Sequence, residues 1–470
     1  MPRARTTMTL PRSFVQSSGL ALAVALLGGF SQQPAKNPTP APSTPRVSTA
    51  PAPGDVVPSG LFARPVREGT GPGLVSVSNP TSPKAPLEAP LAPETRRSRA
   101  TLFHVAPGSA ATRLTLPIDM PDDAWVMVIP KGSSVSAGES ALRDVKLVDP
   151  RGQRVDKRAE RSAQDELGMD PERMKASGVT RPISMMRLSR DMGAGSYQLQ
   201  VGAQAASVGV AIEVRLPGSP VELALTPSAM QFFPGEAATV RVGLASDAAL
   251  EGVRYEAWLY NPRFERTRQV PVEQVGGEVR ARVADVLNER DESGTWGLEV
   301  RATGTSGGRA FDRLAQTAFG FAVPTARIAS AGRPRLVRGA DGKVTAFELD
   351  VEVESQSLDR YEVSGALVAT DARGVERPVA QAQVTDQLAA GSHTLTLRFD
   401  AGHVGLSRLD GSYALRDLQL FSLGTNTLYH RLGRGLELSM PAVRVGELAA
   451  AEMTPALQNM VEAGEFNLAP

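Results

Sequence analysis

The chain has 470 residues, with 51 basic and 50 acidic side chains and a formal net charge of +1. That length allows about three domains, and so even a balance leaves no electrostatic footprint for nucleic acid or an anionic membrane surface. It contains no cysteine, which excludes disulfides, thiolate metal sites, iron–sulfur ligation, a cysteine nucleophile and a lipoprotein anchor.

Basic residues Arg3, Arg5 and Arg12 precede an apolar run at 19–30, GLALAVALLGGF, and no acidic residue occurs before Asp55. This order reads as a secretory signal peptide over 1–31, ending at the small residues Gly29 and Ser31. The apolar run has 12 residues, against roughly 20 for a membrane-spanning helix, so no stable membrane anchor is expected. The mature protein is expected to be exported, to the periplasm or the cell exterior.

Residues 32–100 read as a linker. Fifteen prolines fall within 34–93, among Ala, Ser and Thr. Such a composition offers too little apolar surface to fold, so a disordered, extended spacer is expected.

Beyond residue 100 two anchors recur in the same order. LVDPRG at 147–152, LYNPRF at 259–264 and LVATDARG at 367–374 each close a strand-like run with a turn. GSYQLQV at 195–201, GTWGLEV at 294–300 and GSYALRD at 411–417 follow them, all reading Gly, Ser or Thr, aromatic, any residue, Leu. Repeats of roughly 100 to 120 residues have the size of an Ig-like sandwich. FELDVEVE at 347–354 and SHTLTLRFD at 392–400 alternate apolar and polar residues, as half-buried strands do. The predicted fold class is therefore all-β, with three tandem Ig-like β-sandwich domains at 101–217, 218–325 and 326–446. A helical insertion is expected near 156–192, where helix formers gather between the two anchors of the first repeat. A tail follows at 447–470, with a helix expected inside it.

Few motifs suggest chemistry. GTSGG at 304–308 is the one Gly-x-Ser-x-Gly frame in the chain, but strand-like sequence lies on both sides of it. A hairpin turn explains its glycines, and none of His104, His393, His403 and His430 lies in its repeat to serve Ser306 as a base. The histidines show no metal-binding spacing. His393 reads as a strand-end residue at a core margin. The acidic alternation Glu348, Asp350, Glu352 and Glu354 reads as a wet strand face paired with cations. The loop carrying Asn288, Glu289, Asp291 and Glu292 is the better calcium candidate, though it lacks an EF-hand frame. Met169, Met174, Met185, Met186 and Met192 form a cluster that suits packing of an irregular insertion better than copper binding. No catalytic residue, metal ligand or cofactor is assigned.

VRYEAWLY at 253–260 puts Trp258 and Tyr260 on one strand face with Arg254 and Glu256. If solvated, that face is an amphipathic platform for a sugar ring or a peptide, and Trp258 and Tyr260 are the assigned binding residues.

The stretches LVDPRGQRV, FFPGEAATVRV, LYNPRF, SGTWGLEVRATG followed by RAFDR, and LDGSYALRDLQL resemble tandem Ig-like segments of secreted bacterial proteins, including a proteobacterial family of unknown function. The resemblance covers about residues 100 to 445; it implies Ig-like sandwiches and export, and it carries no catalytic residue. The expected function is an exported, non-enzymatic binding or scaffold protein recognising a protein or polysaccharide. The alternative is a secreted or periplasmic hydrolase acting on cell-wall or extracellular polymer through carboxylates that the sequence does not single out.

Overall fold

The protein is described by a computed structural model covering residues 52, 54–64, 73–87, 92–131, 135–155, 160–162, 183–433 and 439–466. The expected signal peptide and the start of the spacer lie outside the described residues. The described chain is nearly all β, in six sheets that enclose three hydrophobic cores.

In the first module, Val210–Arg215 pairs with both Ala100–Val105 and Trp125–Pro130, and Ser184–Arg187 and Glu160–Ser162 extend that sheet. It faces a three-stranded sheet of Thr112–Ile118, Gly195–Val201 and Val145–Val148. In the second, Glu222–Pro227 and Thr239–Ala245 lie at the centre of one sheet. The other carries Arg309–Phe321, Gly294–Ser306, Leu250–Tyr260 and Arg266–Val270 side by side. In the third, Val344–Ser355 pairs with Gly391–Asp400, opposite a sheet built on Glu376–Leu388, Asp359–Thr370 and Gly411–Ser422. A short helix, Pro455–Glu462, capped by Thr454, lies in the tail.

The recurring anchors have a common physical cause. Asp149, Asn261 and Asp371 each turn a side-chain oxygen back on the chain. Asp149 Oδ1 accepts from the N–H groups of Arg151 and Gln153, Asn261 Oδ1 from Arg263 and Glu265, and Asp371 Oδ1 from Arg373 and Val375, all at 2.8–3.0 Å. Such side-chain turns explain the Asp or Asn before each bend. At the second anchor the aromatic ring is buried and its polar tip reaches back four residues: Tyr197 Oη donates to Gly193 O, Trp296 Nε1 to Glu292 O and Tyr413 Oη to Leu409 O, at 2.8–2.9 Å. The anchors also meet in space. A Cβ on Gly195 would lie 2.9 Å from the Pro150 ring, and one on Gly294 would lie 3.0 Å from that of Pro262.

One position breaks the pattern. Gly152 and Gly374 take positive φ at 82° and 77° in the first and third turns, where the second has Phe264 at 61°. A left-handed conformation costs a side-chain-bearing residue about 1 kcal/mol or more, and this ring is exposed. Phe264→Gly is expected to raise stability by about 0.5 kcal/mol in urea denaturation. Unchanged or lower stability would remove the strain argument.

Two expectations are corrected. The segment at 32–100 is not a free spacer where it is described. Val75–Pro80 adds an antiparallel edge strand to Glu376–Leu388 of the third module, and Arg96–Ser98 adds one to Glu222–Pro227 of the second. Val56 and Arg431 exchange backbone hydrogen bonds of 2.9 and 2.7 Å, and Arg64 bonds both Ser357 of the third module and Glu289 O of the second. Proline is tolerated because these are edge strands, which need partners on one side alone. Of the expected helical insertion, Glu160–Ser162 and Ser184–Arg187 are strands, joined in register from Glu160 opposite Met186, and Arg190–Met192 is a single 3-10 turn. Residues 163–182 lie outside the described set, with Met169 and Met174 among them.

Candidate functional site

Trp258 and Tyr260 lie on Leu250–Tyr260, the strand between Gly294–Ser306 and Arg266–Val270. Ala257 and Leu259 of that strand are buried in the core, so alternation turns Trp258 and Tyr260 to the outer face. Reading across the sheet from Trp258, the register places Glu299 and then Gln316.

Both aromatic residues are half-buried. The Arg266 guanidinium carbon sits 4.0 Å from the centroid of the Trp258 ring, a cation–π contact that covers one face of the indole. Tyr260 Oη donates to Glu299 Oε2 at 3.1 Å, Gln316 Nε2 donates to the same oxygen at 2.8 Å, and Arg266 stands 3.7 Å from Oε1. Burial first, then the Glu299 carboxylate, pushes the Tyr260 phenol up to about 12. The surface is thus a preformed polar and aromatic patch, with less open ring face than a bare Trp–Tyr platform.

Further along the same face, the first module lies against the second. Asp312 accepts from Arg301 Nε at 3.0 Å and from Thr101 Oγ1 of the first module at 2.9 Å, while Arg301 lies 4.9 Å from the centroid of the Phe103 ring. Hydrogen bonding to Asp312 holds Arg301 above the usual arginine value. On the opposite side of the strand, Arg313 is 0% exposed. Its Nη2 donates to both oxygens of Asp119 at 2.8 and 2.7 Å, its Nε to Val221 O at 2.9 Å and its Nη1 to Asp312 O at 2.8 Å. Ser219 Oγ donates to Asp119 Oδ2 at 2.6 Å. Asp119 follows a strand of the first module and Arg313 lies on the second, so a buried, hydrogen-bonded ion pair spans the joint.

Sequence reasoning missed this pair. The signal was present: Arg313 shares parity with Phe311, Ala315 and Phe319, all core residues, and an arginine at a core parity requires a buried acid.

The other singled-out groups serve the fold. Ser306 ends Gly294–Ser306, and Gly307 and Gly308, at φ 54° and 78°, make the two-residue turn into Arg309–Phe321. Ser306 Oγ pairs with Ser246 Oγ at 2.7 Å. Asp291 of the proposed calcium loop accepts from Arg268 Nη1 at 3.0 Å and from Asn288 N at 2.8 Å. Glu348 is paired with Arg335 and Arg398, and Glu354 with Arg327. His393 Nε2 lies 2.8 Å from Ala389 O.

His430 is buried in the third module, and its Nδ1 accepts from Ile328 N at 3.0 Å. Burial, then the nearby Arg327 charge, lowers its pKa from 6.5 to about 4. Between those values the unfolded chain takes up a proton that the folded chain refuses, so stability falls as the pH drops from about 6.5 to 4. The whole window is worth about 3 kcal/mol. His430→Gln is expected to flatten this part of the stability profile in urea titrations at successive pH values. An unchanged slope would assign the loss to other groups.

A likeness to a known domain lies in the third module. Residues 326–439 match the C-terminal domain of DUF4785, a domain of unknown function. The chain also resembles a crystallised DUF4785 family protein from Legionella pneumophila, at 17% identity and a TM-score of 0.56, over 83% of this chain and 99% of that one. At that identity the likeness is one of fold. Salmonella alpha-2-macroglobulin, at 8% identity and a TM-score of 0.20, matches over 76% of this chain and 24% of its own. The FN1–FN3 domains of chicken CNTN1, at 8% and 0.19, match over 75% and 100%. No curated protein matches.

Proposed function

We propose that this is an exported, non-enzymatic scaffold of Ig-like sandwiches that presents its outer faces to a protein or polysaccharide. The observation that carries the reading is the joint: a fully buried Arg313 held by Asp119, Val221 and Asp312. A joint built this way fixes one module against the next and gives the array defined outer surfaces. The Trp258, Arg266 and Tyr260 patch at its margin is a preorganised contact surface, with a rigid aromatic ring and polar groups already oriented. Export rests on the order of charge, apolar run and small residues over 1–31.

The test is capture of partners and a polysaccharide-binding screen with the full chain beside the double variant Trp258→Ala, Tyr260→Ala, its fold checked by circular dichroism. Selective loss of capture by at least tenfold in the variant is expected. Equal capture by both proteins would remove the patch from the recognition surface, and no capture by the parent chain would overturn the binding role.

A further inference from the structure

One strand of the second module has a free edge. From Val240 to Ala245 it is paired with Glu222–Pro227 on one side, but on the other its ladder with Glu278–Arg282 stops at Val242, opposite Val279. The cause is local. Glu278–Arg282 forms a hairpin with Val272–Val275, and the two-residue turn of Gly276 and Gly277, at φ 58° and 85°, ends it at that height. Gly243, Leu244 and Ala245 therefore have no strand beside them on that side among the described residues. An unpaired row of backbone N–H and C=O groups is a template for another strand, and such edges are usually guarded by proline, a bulge or a charged side chain. This one carries a glycine, a leucine and an alanine.

A cleft of about 530 Å³ lies along the edge, within the range of roughly 300–1,000 Å³ typical of ligand sites. It wraps the end of the sandwich, so its lining comes from both sheets. Leu244 and Val279 on one sheet and Leu250 and Tyr255 on the other are half-buried and pack against the core of the module, making an apolar inner wall. The Tyr255 hydroxyl makes no hydrogen bond among the described residues, and burial raises its pKa. The outer rim is polar but charge-matched: Arg97 donates to Glu222 at 2.8 Å, while Glu278 pairs with Arg280 and lies within reach of the Arg241 charge. Such a rim selects neither an anion nor a cation. It is complementary to an uncharged backbone.

We propose that this cleft takes an extended peptide segment of a partner protein, which adds as a strand beside Gly243–Ala245 and seats one apolar side chain between the sheets. Val242 and Leu244 point into the sandwich, so alternation turns Gly243 and Ala245 outward. A peptide residue opposite Leu244 then faces the wall of Leu250, Tyr255 and Val279, while its two neighbours lie outside. The one opposite Gly243 meets no side chain on the receiving strand. Backbone hydrogen bonds supply the affinity and the single inward pocket the selectivity, as at other strand-addition sites. This inference rests on the reading that the array recognises an outside partner, but not on Trp258 or Tyr260.

The experiment is calorimetric titration of the full chain with the capped peptide Lys-Thr-Leu-Thr-Leu-Thr-Lys. Its analogue with serine in place of both leucines is expected to bind at least tenfold more weakly. Two further isomers carry N-methyl groups, one on both leucines and the other on the three threonines, so each loses the N–H donors along one side of the strand. Only one side can face Gly243–Ala245, so one isomer is expected to lose at least tenfold in affinity and the other to bind as the parent peptide does. Hydrogen exchange read by mass spectrometry should show slowed exchange at 243–245 in the complex. Absence of binding by the parent peptide overturns the proposal, as does equal binding of the serine analogue, unchanged binding of both methylated isomers, or binding that leaves 243–245 unprotected. If the peptide fails while the chain still captures another partner through Trp258 and Tyr260, the strand-addition site falls and the scaffold reading stands.

Discussion

Arg313→Met is expected to destabilise the protein by about 3–5 kcal/mol, because it leaves the Asp119 carboxylate buried without its counter-charge. The loss should be concentrated where the first two modules meet, so calorimetry of the variant should separate a melting transition of the first module from that of the second. Asp119→Asn should cost a similar amount, since its amide nitrogen replaces an oxygen that accepts from Arg313 and Ser219 and the buried guanidinium loses its counter-charge. The double variant Arg313→Met, Asp119→Leu should recover a good part of the loss, because an ion pair replaced whole by apolar groups leaves no orphaned charge. A cost below about 1 kcal/mol for Arg313→Met would mean that water reaches the joint and that the pair is no structural lock.

The second large effect is expected at the aromatic anchors. Tyr413→Ala removes a side chain that is buried and packed edge-on against Phe347 at 5.2 Å between ring centroids; it should cost about 3–5 kcal/mol. Tyr413→Phe keeps the ring and loses the hydrogen bond to Leu409 O, a change of about 1 kcal/mol. The same pair of magnitudes should recur at Tyr197, whose hydroxyl reaches Gly193 O. Chemical denaturation gives both values. If Tyr→Phe cost as much as Tyr→Ala, the hydrogen bond and not the packing would hold the corner.

These anchors are also the part of the fold that the sequence displays openly. Each combines a turn residue with a local side-chain bond and an aromatic residue with a fixed strand parity, and both effects act within a few positions along the chain. The acidic row from Glu348 to Glu354 was legible for the same reason, because alternation alone assigns it to a wet face. The edge strand Val75–Pro80 was hidden for the opposite reason. Its stability comes from Glu376–Leu388, some 300 residues away in the register, while its local composition is that of a proline-rich spacer. Strands at 160–162 and 184–187 were masked in the same way by helix-forming neighbours, tertiary pairing having overridden propensity.

The candidate site was half legible. Alternation correctly assigns Trp258 and Tyr260 to one strand face, but it cannot tell that Arg266 stacks on the indole or that Glu299 binds the phenol. The joint required a partner for Arg313 that lies 194 positions earlier, a distance over which no periodicity carries information.

The central claim is that the modules form one rigid array. The chain has no cysteine, so spin labels can be placed cleanly at Lys146→Cys and Gln274→Cys, exposed positions on the first and second modules. Electron–electron double resonance between them should give a single narrow distance distribution, broadened by Arg313→Met. A broad or multimodal distribution in the chain that keeps Arg313 would contradict the account.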